Sequence, residues 1–362
     1  MEVDIDVAKD LGYATLQRIK KDNLAMTFGT GHYELFNTWF GEKAEKDSGD
    51  VIKDYITLKD TGNGKHISMW EDDSHNVLNT DEEITTNWVH YTTNMDYNAI
   101  EVAINQDNPV RIYNMLNSKQ LNMFREMAEQ LQLAAVLSPS SASDKKHPHG
   151  LSAWLSMGTD DSSGDWSGYS GRYNDGSGTT YNLGGVASSA SVNPRWASYY
   201  ADHKGQLGDF LLDCLFRATT QTKFIVPIVP KKGKIGEDSG FANFRFYCGI
   251  EILQSMEHLL RKSDDRIGVD LGKYNNMIVY KGIPFIYLEE LNTARSTLYG
   301  TNPLFGVNHD HFKITILKNR DFIIGKPYQR DDNHNVLTVP VDLTYAIHTN
   351  NRQRAGFLIS QQ

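Results

Sequence analysis

The chain has 362 residues, of which 40% are hydrophobic and 22% charged, which is enough for a sizeable core and two or three domains. Its mean hydropathy is −0.48, and no apolar run reaches the roughly 20 residues of a membrane-spanning helix. A net charge of −9 with only short basic clusters argues against sequence-specific nucleic acid recognition. The acidic start of the chain, residues 1–6, is unlike a secretory signal, so we expect synthesis and retention in a cytoplasm.

The first 54 residues are polar and predict two helical pieces, at 7–22 and 33–45. The segment is too small for a core of its own, yet it carries several aromatic side chains. We therefore expect these aromatic residues to pack on another surface: Phe28, Tyr33, Phe36, Trp39 and Phe40.

Residues 55–104 predict a long two-stranded ribbon. Strand-like alternation is seen at 55–58, 67–70 and 88–104, with a turn at 61–64 and polar interruptions at 81–83 and 87. A ribbon with so few core residues is marginally stable by itself. We therefore expect it to lie across a neighbouring molecule.

The clearest predicted element is a helix over 108–138. Asn108 suits the N-cap, Pro109 suits the first helical position, and Ser138-Pro139 ends the helix. Apolar residues recur at helical spacing on one face: Ile112, Leu116, Met123, Met127, Leu131 and Ala134. The helix would be about 45 Å long and would form a rod-like element beside the ribbon. An ordinary core helix shows the same apolar spacing, so this interpretation stays open as well.

The rest of the chain interleaves helices and strands without a regular βαβ period, which favours the α+β class. Residues 139–191 are rich in Ser, Gly, Asp and Tyr and predict a long exposed loop or insertion. The helices are predicted at 205–221 and 249–263, and the strands at 224–229, 277–288, 312–317, 336–341, 345–348 and 356–359.

Motifs for nucleotide binding or nucleophilic catalysis are weak or missing. The chain has no phosphate-binding loop, and the pair of glycines at 29–31 lacks the third glycine of a dinucleotide site. The serines within 164–168 and 236–240 stand at the wrong offset for a nucleophile elbow, so both segments are better interpreted as turns.

The sequence supports metal-binding and acid–base sites no better than it supports nucleotide-binding or nucleophilic sites. A strand would put His309 and His311 on one face, but no third ligand is indicated, and His147 and His149 form only a second loose pair. The alternation of Asp161, Ser163 and Asp165 stops too soon for a calcium loop. Neighbouring carboxylates such as 82–83 and 289–290 would point to opposite faces of a strand.

The two cysteines, Cys214 and Cys248, are too far apart in sequence for a Cys-x-x-Cys pair, and Cys214 lies in an apolar run that predicts simple burial. We therefore predict no catalytic, cofactor-binding or metal-binding residues. A structural role is favoured over an enzyme.

The order of these elements resembles a tailed-bacteriophage major capsid protein of the Hong Kong 97 type. Local segments that resemble the family are Gly184-Gly185-Val186 before Asn193-Pro194-Arg195-Trp196, the strands of 278–288 and 312–322, and the ending Asn351-Arg352 followed by Gly356-Phe357-Leu358. The resemblance covers nearly the whole chain and depends on order and spacing. Residues 157–183 depart from it, because they are longer and richer in Gly, Ser and Tyr.

The resemblance implies a division of the chain into five parts. These are an N-terminal arm (1–54), an extended loop (55–104), a peripheral domain (105–224) with the spine helix 108–138 and a surface insertion 157–183, a mainly axial domain (225–325), and C-terminal strands of the peripheral domain (326–362).

It also implies self-assembly into hexamers and pentamers that form an icosahedral shell around double-stranded DNA. The expected partners are other copies of the chain, a portal, scaffolding proteins, decoration or cement proteins, and packaged DNA contacted non-specifically, with assembly in the bacterial host cytoplasm and final location in the virion. The arm and the loop would supply interface residues: Tyr55, Leu58, Ile67, Trp70, Trp88, Phe36, Trp39 and Phe40. The sequence gives no basis for assigning a crosslink to Lys59 or Lys65.

Three other interpretations stay open. The chain could form an encapsulin-like protein compartment with an enzyme cargo, it could be a soluble hydrolase with an unrecognised Ser/His site, or it could be a tail or decoration component. The insertion and the arm favour a phage shell over a compartment.

Overall fold

The structure, a computed structural model, describes residues 33–41, 43–70, 72, 75, 79–104, 109–141, 143–158, 167–170, 172–174, 179–180, 182–187, 193–222, 244–262, 271–274, 277–295, 298–330 and 333–362. The chain divides into two compact units. Unit 1 takes the described residues of Met1–Asp50, Trp88–Ala135 and Ile314–Ala346, and unit 2 takes those of Val51–Asn87, Val136–Lys313 and Ile347–Gln362.

Helices and strands alternate irregularly along the described chain. The helices are α1 Glu34–Gly41, α2 Ala99–Ile104, α3 Pro109–Val136, α4 Leu151–Trp154, α5 Asp209–Gln221, α6 Ile250–Lys262 and α7 Arg352–Ala355, with 3-10 turns at Pro194–Trp196 and Glu289–Asn292. The first ten strands are β1 Ala44–Lys46, β2 Val51–Thr57, β3 Asp81–Asn87, β4 Val89–Asn98, β5 Ser167–Ser170, β6 Tyr173–Asn174, β7 Thr179–Thr180, β8 Asn182–Leu183, β9 Val186–Ala187 and β10 Ser198–Asp202. The other ten are β11 Phe244–Cys248, β12 Leu271–Tyr274, β13 Met277–Tyr280, β14 Ile283–Tyr287, β15 Thr301–Asn308, β16 Phe312–Leu317, β17 Ile323–Ile324, β18 Tyr328–Arg330, β19 Asn333–Thr349 and β20 Gly356–Gln361.

The long helix α3 is the main helix of unit 1, and its prediction is confirmed with ends that differ by one or two residues. Its predicted apolar face is buried except for Ala134, which is half-buried. Six further α3 residues are also buried, so the helix hides a broad face: Gln120, Phe124, Ala128, Gln132, Ala135 and Val136. No described helix is long and apolar enough to cross a bilayer.

A sheet built around the long strand β19 forms the other layer of unit 1. β19 runs antiparallel to β4 from Val336 opposite Asn98 to Tyr345 opposite Val89. β16, β17 and β18 also pair with β19, and β1 pairs in parallel with β16. Gln120 and Met123 of α3 meet residues of β4, β17 and β19 in one closely packed crevice: Met95, Ile324, Val339 and Val341.

An eight-stranded sheet forms unit 2, in the order β12-β13-β14-β11-β15-β20-β10-β5. The C-terminal strand β20 therefore lies inside the sheet, antiparallel to β15 and parallel to β10. Helices α5 and α6 cover it with apolar side chains that include Leu211, Leu215, Ile252 and Met256. Apolar residues at helical spacing thus meet apolar strands in one core.

The ribbon predicted over 55–104 is only partly right. The hairpin is formed by β2 and β3, whereas the following strand β4 leaves for the sheet of unit 1. The polar residues 81–83, interpreted as interruptions, are part of the return strand, because their side chains pair with the facing strand and its extension. Residues 61–70 form no strand, despite the alternation at 67–70.

The predicted loop at 139–191 is also more ordered than expected where the structure describes it. Helix α4 is fully buried, and β5 forms the edge of the large sheet by pairing with β10. Several predictions lie outside the described residues: the helix at 7–22, the glycines at 29–31, the Asn108 cap, the calcium-like run 161–165, the strand at 224–229 and the serine turn at 236–240.

The five-part division from the resemblance stays a prediction, and the two compact units group the chain differently. Residues 136–222, where described, and strand β20 belong to unit 2, whereas the prediction placed them with the spine helix. The reason is the strand pairing, because β10 and β20 share hydrogen bonds within the large sheet.

Candidate subunit interface

The hairpin of β2 and β3 has one buried and one exposed face. Its register runs from Val51 opposite Asn87 to Thr57 opposite Asp81. Because side chains alternate along a strand, Ile52 opposite Thr86 and Ile84 opposite Asp54 share the face that is turned away from solvent. Leu58, just beyond β2, is buried as well.

Charged pairs occupy the exposed face of the hairpin. Lys53 Nζ lies 2.7 Å from Glu83 Oε1, and the hydroxyl of Tyr55 donates to Glu83 over 3.3 Å. The hydrogen bond to Glu83 raises the pKa of Lys53, and the same contact lowers the pKa of Glu83. A further pair lies at the start of β3, where Lys59 Nζ is 2.9 Å from Oε1 of Glu82, a residue in phase with Ile84 on the other face.

The buried face of the hairpin rests on the β8–β9 turn of the same unit. The amide of Thr85 donates to the carbonyl of Gly184 over 2.8 Å. Gly184 has a φ of +69°, and a Cβ built there would lie 2.6 Å from Cγ2 of Ile84. A glycine is therefore needed both for the backbone conformation and for the close approach of the hairpin.

Three further polar contacts hold the hairpin on the rest of unit 2. Each involves an acidic residue of the hairpin or of its extension, the segment that follows β2. Nδ1 of His348 lies 2.6 Å from Oδ2 of Asp54. Arg195 makes a two-pronged contact with Asp60, in which Nη1 donates to Oδ1 over 3.0 Å. Asn193 donates to Glu82 over 3.4 Å.

Beyond its base, the hairpin exposes large apolar side chains. Ile67, Met69 and Trp70 are 53%, 89% and 92% exposed, and all three lie within four residues. Large apolar groups exposed so closely together mark an interaction surface when they are contiguous. Tryptophan and methionine are also enriched in the cores of protein interfaces.

The predicted interface residues fall into two groups. Tyr55, Ile67 and Trp70 are exposed and available to a second molecule. Leu58, Phe36 and Trp39 are buried inside their own chain, and Phe40 and Trp88 are half-buried. Only the exposed residues, Tyr55, Ile67 and Trp70, therefore remain as predicted subunit-interface residues.

Helix α1 explains why the arm aromatics are buried without a neighbour. The backbone amide of Phe36 donates a hydrogen bond to Oε1 of Gln132 on α3 over 3.2 Å. The rings of Phe36 and Phe40 are 4.2 Å apart, and Phe40 lies 5.3 Å from Phe322. Helix α1 of the arm thus packs within unit 1, and the pattern of aromatics alone could not show which surface covers them.

The Asn-Arg ending has a physical role inside unit 2. The guanidinium of Arg352 is fully buried and donates to the carbonyls of Trp154 (2.7 Å), Arg172 (2.7 Å) and Trp196 (3.3 Å) and to the hydroxyl of Ser156 (3.0 Å). Burial lowers the pKa of Arg352 to about 9. One side chain thereby joins three chain segments to the start of β20.

The histidine pair at 309 and 311 is not arranged as a metal site. The two residues lie on a turn after β15, and not on one strand face as the sequence suggested. His309 bonds the hydroxyl of Tyr247 (2.8 Å), whereas His311 bonds Asn350 (2.9 Å). Within the described ranges, no three His, Cys, Asp or Glu side chains come together as a possible metal site.

Both cysteines are buried thiols, as predicted for Cys214. Burial raises the pKa of Cys214 to about 11 and that of Cys248 to about 12. Thiols with such pKa values are protonated at neutral pH and are poor nucleophiles.

Similarity to known proteins is found among solved structures, and not among protein families or curated sequences. No family model matches the sequence, and no curated protein matches it. Among solved structures, the chain is similar to the capsid asymmetric unit of cyanophage A-1(L), with a TM-score of 0.56 and 9% identity over 91% of this chain and 93% of that chain. The α+β, Hong Kong 97-type fold expected from the resemblance is thereby confirmed.

Two weaker likenesses belong to the same comparison. The capsid of a native GTA particle aligns with a TM-score of 0.49 and 9% identity, over 90% of this chain and 89% of that chain. An encapsulin complex from Synechococcus elongatus PCC 7942 aligns with a TM-score of 0.43 and 9% identity, over 89% and 86%.

Proposed function

We propose that this chain is the major capsid protein of a tailed bacteriophage, which assembles into hexamers and pentamers of an icosahedral shell around double-stranded DNA. The observation that supports this most is the fold shared with the cyanophage A-1(L) capsid over about nine-tenths of both chains. A match of that extent takes in most of both compact units, which supports a shell-protein architecture for the subunit.

The exposed end of the hairpin supports self-association. Met69 and Trp70 are almost fully solvent-exposed, which is unfavourable for a chain that works alone. We infer that they are covered by a second copy of the chain in the shell, together with Tyr55 and Ile67. The hairpin is then the extended loop of the subunit.

The acidic net charge suits a shell that encloses DNA without gripping it. Each phosphate that a protein neutralises adds affinity, so a charge of −9 keeps contacts with packaged DNA weak and non-specific. The proposal also places the protein in the virion, with a portal, scaffolding proteins and decoration proteins as further partners. It assigns no catalysis to the chain.

Assembly of the full-length chain tests this proposal. The protein is expressed alone, and its size distribution is followed by light scattering and negative-stain microscopy over a concentration series. We expect capsomers, shells or curved sheets. Monodisperse monomers at every concentration would overturn the proposal, and shells that hold one host enzyme and no nucleic acid would replace it with a protein compartment.

A further inference from the structure

We propose that the base of the hairpin is held by an own-chain clasp that fixes the direction of the exposed hairpin end and thereby positions it for assembly. The clasp consists of Asp54, Glu82 and Asp60 from the hairpin and its extension, and of His348, Asn193 and Arg195 from the body of unit 2. The proposal rests on the proposed function, because it deepens the role of the hairpin in shell formation.

The contact of Asp54 with His348 is the less exposed of the two clasp contacts between an acidic and a basic side chain. The His348 side chain is 6% exposed and the Asp54 side chain 35% exposed, so water competes less for this contact than for the contact of Arg195 with Asp60. The contact of Arg195 with Asp60 has good two-pronged geometry, but its side chains are 46% and 74% exposed. Exposed pairs of this kind contribute little each, so Asp60 acts as a second, weaker attachment point.

The separation of the two attachment points gives the clasp its effect. Asp54 and Asp60 are six positions apart in the chain, so at about 3.3 Å per residue their Cα atoms lie at most about 20 Å apart. A two-stranded ribbon held at one point can swing, because it is not stiff by itself. Held at Asp54, at the Thr85 amide and at Asp60, the hairpin is attached along its length, and its apolar end leaves the body in one direction.

The clasp residues of the body are therefore positioning residues for assembly. Asn193 and Arg195 lie around the Pro194–Trp196 turn, and His348 lies near the end of β19. These side chains come from two distant parts of the sequence, and all three contact the hairpin or its extension. None of the clasp residues belongs to the large apolar core of unit 2. We therefore expect the clasp to contribute little to the stability of that core.

Isosteric variants of the full-length chain test the clasp. Asp54→Asn and Asp60→Asn remove one charge each, and Glu83→Gln is the matched control because Glu83 pairs with Lys53 within the hairpin. Hydrogen exchange of peptides covering 81–87 is measured in unassembled subunits, and shell yield is measured by microscopy. We expect exchange on the order of ten-fold faster in Asp54→Asn, about two-fold faster in Asp60→Asn and unchanged in Glu83→Gln.

Shell yield should follow the same order, with aberrant or open particles from Asp54→Asn and normal particles from Glu83→Gln. A charge exchange, Asp60→Arg with Arg195→Asp, should reverse both effects of the single changes, namely the faster hydrogen exchange and the lower shell yield. A melting temperature near that of the parent chain shows that a variant subunit is folded. If a single variant has a much lower melting temperature, the charge-exchange pair is used in its place to test the clasp.

The possible outcomes separate this proposal from the proposed function. Equal exchange and equal yield in Asp54→Asn and Glu83→Gln would overturn the clasp while the parent chain still forms shells. Faster exchange with unchanged shells would overturn the positioning role. A parent chain that never assembles would overturn the proposed function, and the exchange measurements would still decide whether the hairpin is clasped.

Discussion

The C-terminal strand β20 and the end of the hairpin carry similar apolar side chains in opposite surroundings. Phe357, Leu358 and Ile359 of β20 are fully buried, between β15 and β10. Met69 and Trp70 at the hairpin end are about nine-tenths exposed. The first set stabilises one folded chain, whereas the second can be buried only by another molecule. Changes in the two regions should therefore separate folding from assembly.

The largest loss of stability is expected from Arg352→Ala. The change removes a buried guanidinium that satisfies three carbonyls and a hydroxyl, and it leaves those acceptors without this donor. We expect the free energy of unfolding to fall by about 3–5 kcal/mol, measured by urea titration. Arg354→Ala, at an exposed position two residues on, is the control. Equal losses from both changes would contradict the role given to Arg352.

Gly306→Ala tests the same region through packing. A Cβ at Gly306 would lie 2.3 Å from the ring of Phe357, so β15 and β20 could not keep their present spacing. Overpacking of this kind costs about 1–3 kcal/mol or more. Gly64→Ala, where nothing lies within 4 Å, should leave the melting temperature nearly unchanged. A stable Gly306→Ala variant would show that the sheet can shift to accept the methyl group.

Acid should lower the stability of unit 2 through His149. Burial lowers the pKa of His149 from 6.5 to about 4, so the unfolded chain binds a proton that the folded chain does not bind between these values. Stability should then fall as the pH drops from about 6.5 to 4, by at most about 3 kcal/mol from this residue. His149→Gln should reduce this fall in stability, measured as the pH dependence of unfolding, without abolishing it, because burial also lowers the pKa of His309 and His203. The control is His66→Gln, a change at an exposed position.

The smallest effect on stability, with a complete effect on assembly, is expected from Met69→Ser combined with Trp70→Ser. Both side chains are exposed in the subunit, so the free energy of unfolding should change by less than about 0.5 kcal/mol. Shell formation, followed by light scattering, should be lost because the covered apolar area is lost. Tyr328→Ser, at a half-exposed aromatic of unit 1, is the matched control. Loss of assembly in that control as well would remove the special role of the hairpin end.

Part of the candidate interface was predictable from the sequence. Ile67 and Trp70 were predicted at an interface because a ribbon with few core residues needs a neighbour, and the structure leaves both exposed. The clasp was not predictable, because Asp54 and His348 are far apart in the chain and neither stands in a recognisable motif. The glycine pair at 184–185 was noted for its resemblance, but its function as the seat of the hairpin needed coordinates.

The sequence alone determined the elements whose signal is local. The helix α3, its buried face and the apolar C-terminal strand follow from periodicity and from the residues that start and stop helices. Only the tertiary structure decided that β3 closes the hairpin, that β4 leaves it for β19, and that the arm aromatics near Phe36 are covered by their own chain. Periodicity states which face of an element is buried, whereas the partner that buries it is set by strand pairing and packing between distant segments.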